Sequence, residues 1–243
     1  MKRMLCYVFA ICFVLAGWEA TAWLVQSPAL PTVEQTIPVF VRYAGDIWPD
    51  FCISFYRVVV ALVIGTAVAA PLGLALGRSP KADALFAPVL YMLYPLPKIV
   101  LLPILLVLLG LADAPKIVLI ALTVFFQVIV VMRDAAKAIP ESCIESVRSL
   151  GATKADQWLH VILPVTLPAL FTTLRVSSGI AIAILFFAES IAGSTGVGYF
   201  IMNSWALVNY PRMFAGIIAL AILGLIVYLA FDIAERACTK WNR

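Results

Sequence analysis

At 243 residues, 64% hydrophobic and 12% charged, the chain has too little polar surface to clothe a soluble globule; soluble domains run nearer ~25% charged. It reads as an all-α membrane protein. Its formal charge of +4 is scattered, with no basic stripe interleaved with aromatics, so the lipid bilayer is an expected partner and nucleic acid is not.

A spanning helix needs ~20 mostly apolar residues, and six runs approach that size. The first, Met4 to Val25, follows Lys2 and Arg3 and is interrupted by Glu19. A cleaved signal peptide is the alternative there, because Ala20, Thr21 and Ala22 follow the apolar run as small residues follow one at a cleavage site. Residues 26–52 carry four prolines and four charges, a mixture that cannot span but suits a short amphipathic helix at the outer interface. The second span runs from Ser54 to Gly77, and Gly65 and Gly73 let a neighbouring helix approach closely.

The third span, Ala84 to Leu111, contains Pro88, Pro95, Pro97 and Pro103. Each interior proline deletes a helical hydrogen bond, so this helix is expected to be bent or broken. Broken helices are tolerated at membrane depth against protein or a wet cavity, which makes Pro95, Pro97 and Lys98 candidates for pathway lining. The alternative for Lys98 is a structural pairing with a carboxylate or with carbonyls freed by the prolines.

Asp113 to Lys116 reads as a tight outer turn, and Ile117 to Met132 as the fourth span. The fifth, Leu167 to Ala188, holds Arg175 and meets Glu189 at its outer end. A glycine-rich connection, Gly193 to Gly198, then leads to an outer half-helix, Tyr199 to Tyr210, and to the sixth span, Met213 to Phe231. Ionisable residues inside a bilayer normally face protein or water, so Arg57, Arg175 and Glu189 join Lys98 as residues to place. Arg175 and Glu189 are pathway or gate candidates; snorkelling and helix capping are the alternatives.

With the N terminus inside, the inner segments hold Lys2, Arg3, Arg78, Lys81, Arg133, Lys137, Arg148, Lys154, Arg236, Lys240 and Arg243. The outer ones hold only Arg42, Lys116 and Arg212, an asymmetry that places both termini in the cytoplasm. The five cysteines form no C-x-x-C pair and the single His160 has no cluster of ligands around it, so no metal or catalytic site is expected.

The long polar interval Glu141 to Pro168, within a cytoplasmic loop 133–166, is where a soluble partner is expected to dock. Glu145 and Arg148 share a helical face, Gly151 permits a sharp turn, and a second short amphipathic run carries Trp158, Val161 and Leu163 before Pro164 and Pro168. Glu145, Gly151, Val161, Leu163 and Pro164 match the "EAA" signature of permease subunits of binding-protein-dependent ABC importers at every spacing. The departures are Ser146 and Val147, where that signature has alanines. Together with PLPKIVLLP at 95–103 and AESIAGSTGVGYFI at 188–201, the chain resembles the nitrate, sulfonate and taurine branch over roughly residues 50–240.

The resemblance implies a type I importer permease fold: an N-terminal helix over 1–25, a periplasmic interfacial segment over 26–52 and a transmembrane core over 53–238. It implies a bacterial inner-membrane location, a second permease copy and an extracellular or periplasmic solute-binding protein. A cytoplasmic ABC ATPase dimer would carry ATP and Mg, since this chain has no G-x-x-x-x-G-K-[ST] loop. Glu145, Gly151, Ala152, Thr153, Trp158, Leu163 and Pro164 would meet that ATPase. The implied solute is a small anion or a vitamin-precursor-like organic molecule. A secondary transporter or channel, with Lys98, Arg175 and Glu189 as a relay, is the alternative; it would call for an internal repeat, and none is evident.

Overall fold

The computed structural model describes residues 2–239, with side chains from residue 9 onward. Lys240 and Arg243, counted above among the inner basic residues, lie outside it, as do the side chains of Lys2 and Arg3. The described chain is helical: α1 Lys2–Val25, α2 Val33–Gly77, α3 Pro80–Leu93, a 3-10 turn Lys98–Leu101, α4 Leu102–Leu109 and α5 Asp113–Lys137. There follow α6 Glu141–Ser149, α7 Lys154–Gln157, a π turn Trp158–Ile162, α8 Leu163–Ala192, α9 Val197–Ala206 and α10 Tyr210–Cys238. Among the described residues four helices are long and apolar enough to cross a membrane, or five when α3 and the Lys98–Leu109 segment count as one span bent by 82°. A shorter apolar helix covers Phe9–Val25.

The chain divides into two compact units. The first comprises Met1–Ser54 and Glu189–Ile222. Its one charge within the apolar part of α1 has a structural explanation: Glu19 accepts a hydrogen bond from the Val33 N–H at 2.7 Å, satisfying an open donor at the start of α2. Trp18 anchors the same corner, donating to the Pro31 carbonyl at 3.0 Å and stacking on Phe214 at 5.4 Å.

The second unit comprises Phe55–Ala188 and Leu223–Arg243. α5 is its most enclosed helix, with Leu119, Ile120, Val124 and Val128 fully buried. Gly65, Gly73 and Gly77 of α2 turn toward it, and a Cβ added at Gly65 or Gly73 would stand 2.7 or 2.6 Å from the carbonyl oxygens of Ala121 or Ile129. The close approach expected at Gly65 and Gly73 is therefore made to α5. Small residues let backbones meet this way where lipid removes the usual hydrophobic drive between helices. The Arg57 guanidinium, buried, pairs with Asp113 at 2.5 Å in the first turn of α5.

Three sequence expectations are corrected. The short helix expected ahead of the second span is continuous with it, as the 45-residue α2. Thr36, Ile47, Ser54, Val58, Ala61, Gly65 and Ala69 keep one buried face through the whole length, so helical periodicity persists where hydropathy alone suggested a break. The expected turn at Asp113 to Lys116 is instead the first turn of α5. The second short helix of the polar interval does not end before the fifth span: from Lys154 to Ala192 the chain is helical throughout.

Candidate functional site

The polar interval is built around one turn. α6 ends at Ser149, and the Gly151 N–H donates to the Arg148 carbonyl at 3.0 Å while the Ala152 N–H reaches the Val147 carbonyl at 3.4 Å. These paired bonds close the helix as a Schellman motif, which places Gly151 at φ +87°, a region L side chains rarely adopt. No atom lies within 4 Å of where a Cβ on Gly151 would sit, so glycine is required here by backbone conformation and not by crowding.

Two residues later Thr153 starts α7 through a capping box: its hydroxyl accepts from the Asp156 N–H, and the Asp156 carboxylate accepts from the Thr153 N–H at 2.9 Å. The bend is thus defined on both sides by satisfied backbone groups. Its outward face presents Glu145, Gly151 and Thr153 as exposed, Ala152 and Trp158 as partly exposed, and Leu150 at 88% exposure. Ile144 and Ile162 are the buried anchors of the two arms. Leu163 is outward, at 42% exposure, and Pro164 is partly buried. Where the ring of Pro164 would meet the His160 carbonyl, the backbone widens into the π turn, with the Leu163 N–H bonded to the Trp158 carbonyl.

The broken span brings Pro95, Pro97 and Lys98 together at the bend between α3 and the 3-10 turn. Pro97 has no N–H for the Leu93 carbonyl four residues back. The Lys98 ammonium donates there at 2.9 Å, beside the Leu96 N–H at 3.3 Å, and also to the Tyr94 carbonyl. It sits 4.6 Å from the Phe126 ring centroid, so the charge is held by carbonyls and an aromatic face together.

Arg175 pairs with Asp232 at 3.2 Å and Glu235 at 2.9 Å, fastening α8 to α10, and within α10 Arg236 also pairs with Asp232 at 2.5 Å. Glu189 is fully buried, accepting from the Ser54 hydroxyl at 2.8 Å and from the Gly198 N–H at 2.9 Å. Sequence reasoning missed Asp232 and Glu235, whose i, i+3 spacing on one face of α10 was the available signal, and it missed Ser54, which carries no signal of its own. It also missed Asp83, which ties α3 to α5 through Arg133 and through Lys137 at 2.8 Å. Among the described residues no group of three His, Cys, Asp or Glu is placed to hold a metal ion.

Residues 61–240 match the family model described as the inner membrane component of binding-protein-dependent transport systems. The chain belongs to this family. As a permease it is 28% identical over 230 residues to the taurine transport system permease protein TauC of Escherichia coli, covering 92% of this chain and 84% of that one. It is 30% identical over 233 residues to a putative aliphatic sulfonates transport permease protein, SsuC, of Bacillus subtilis, covering 94% and 84%. Its fold matches a chain of the MetNI methionine ABC transporter with a TM-score of 0.66 at 21% identity, covering 79% of this permease and 96% of that chain. It is an ABC importer permease and a multi-pass membrane protein.

Proposed function

We propose that this permease moves a small sulfonate-like anion, delivered by a solute-binding protein, and takes its driving force from a separate ATPase dimer that carries ATP and Mg. The names of the taurine and sulfonate relatives support the solute class. Six spans, counting α1 as the first and the bent α3–α4 pair as the third, with both termini cytoplasmic, fit the distribution of basic residues. Two copies would enclose one pathway, with Pro95, Pro97 and Lys98 near it and Arg175 and Glu189 governing its ends.

The observation that carries the reading is the defined turn between α6 and α7, an exposed handle whose conformation is fixed by Gly151 and the Thr153 capping box. Glu145, Gly151, Ala152, Thr153, Trp158, Leu163 and Pro164 form the surface or framework offered to the ATPase. ATP binding biases one arrangement of the permease and the loaded binding protein biases it from the other side, the coupling being reciprocal.

The test compares Gly151→Val with Gly151→Asn. Valine in a left-handed backbone costs ~1–2 kcal/mol, whereas asparagine tolerates it. Gly151→Val should insert normally, bind the ATPase weakly and lose most ATP-driven uptake of taurine, the first probe; Gly151→Asn should retain much of both. Full uptake by Gly151→Val, or uptake by a membrane preparation from which no ATPase copurifies, would overturn the assignment.

A further inference from the structure

We propose that α9 is a latched gate element, that Asp50, Ser54 and Glu189 are the positioning residues that hold it, and that opening this latch is a step of the transport cycle. The proposal rests on the permease reading above. Three successive N–H groups at the start of α9 are gripped by side chains of other helices, two of them remote in sequence. The Gly196 N–H donates to Asp50 Oδ1 at 2.6 Å, the Val197 N–H to Ser54 Oγ at 2.9 Å, and the Gly198 N–H to Glu189 Oε2 at 2.9 Å. Ser54 passes the interaction on, donating its hydroxyl proton to the Glu189 carboxylate at 2.8 Å. Ser54 and Glu189 are wholly buried.

A helix start is ordinarily capped by the side chain of its own N-cap residue. Here that residue is Gly196, at φ +106°, and a Cβ on it would fall on the Glu189 carboxyl group. The glycine therefore makes room for a cap supplied from α2 and from the end of α8. The position of α9 thus depends on two other helices staying where they are.

The opposite end of α9 is strained. The Val208 N–H donates to the Trp205 carbonyl at 2.9 Å and the Asn209 N–H to the Ser204 carbonyl at 3.0 Å, the same Schellman closure that Gly151 makes. The residue in the left-handed position is a valine, at φ +55°, and its side chain is 67% exposed. A β-branched residue persists in that conformation only where the surroundings impose it. A ten-residue helix gripped by hydrogen bonds at one end and strained at the other is poised to move once the grip is lost.

Hydrogen exchange on the full permease, purified with its ATPase in lipid nanodiscs, tests this. In Ser54→Ala and Gly196→Ala the amides of residues 197–201 should exchange about tenfold faster or more, with α5 unchanged. Asp50→Asn keeps an acceptor for the Gly196 N–H and should behave as the parent, whereas Asp50→Leu should not. Val208→Gly, which removes the strain and leaves the cradle intact, should slow exchange in α9. ATP hydrolysis without any binding protein should rise severalfold in Ser54→Ala, because a latch that holds the resting state also holds back the motor. Unchanged exchange at 197–201, or a rise spread equally through α5, overturns the latch. Faster exchange confined to α9 with no copurifying ATPase would keep the latch and overturn the proposed ATPase-driven reading instead.

Discussion

At the scale of single residues, Lys98 shows how a proline-rich bend can employ a charge. The proline-rich stretch made it a pathway candidate, with pairing to carbonyls at the bend as the alternative, and its ammonium lies on the Leu93 and Tyr94 carbonyls. Replacing it with methionine removes that donor from both carbonyls, at a cost of about 1 kcal/mol. Lys98→Met should therefore melt at a lower temperature in detergent, with Lys98→Arg in between. A Lys98→Met protein that melts like the parent and no longer transports would assign the residue to the pathway. Gly151 was legible because a glycine between two amphipathic runs has few other uses. The partners of Arg175 and Glu189 were not, since Asp232 and Glu235 lie 57 and 60 residues away and Ser54 is an ordinary serine until the fold buries it.

Among the elements, α2 shows most directly how surroundings decide the value of a residue. Gly45 has nothing within 4 Å of the place a Cβ would take, whereas at Gly73 the same carbon would press on the Ile129 carbonyl and the Met132 Cβ, at 2.6 and 2.9 Å. Gly45→Ala is expected to stabilise the protein by up to ~1 kcal/mol through helix propensity. Gly73→Ala is expected to destabilise it by about 1–3 kcal/mol through overpacking. Thermal unfolding of the two variants side by side measures both, and equal shifts would contradict the α2–α5 packing. The prolines of the third run announced its 82° bend, and hydropathy found the four long apolar helices. It misplaced the start of α2 because proline and charge were weighed against a helix that a buried face at constant spacing sustains.

For the molecule as a whole, the proposed topology rests on where the basic residues fall, and Cys143 offers a direct probe of it. Its side chain is exposed on α6. A membrane-impermeant maleimide should label Cys143 in inverted vesicles and leave it untouched in right-side-out ones. Labelling from the external side would invert the topology and remove the handle from the reach of any cytoplasmic ATPase. Membrane class was legible from composition, and the family from the segments that resemble it. The identity of the solute was not, because no cluster of residues in the chain spells out a recognition chemistry.

The uninterrupted passage from α7 through the π turn into α8 sets the two arms of the handle apart mechanically. A push on α6 can be absorbed as rotation about the glycine bend. Gln157 lies in the first turn of one continuous 39-residue helix and Thr153 caps it, so the second arm has no such bend at its base. On the proposed reading, a partner docked on the handle would meet a glycine bend on one side and a continuous helix on the other.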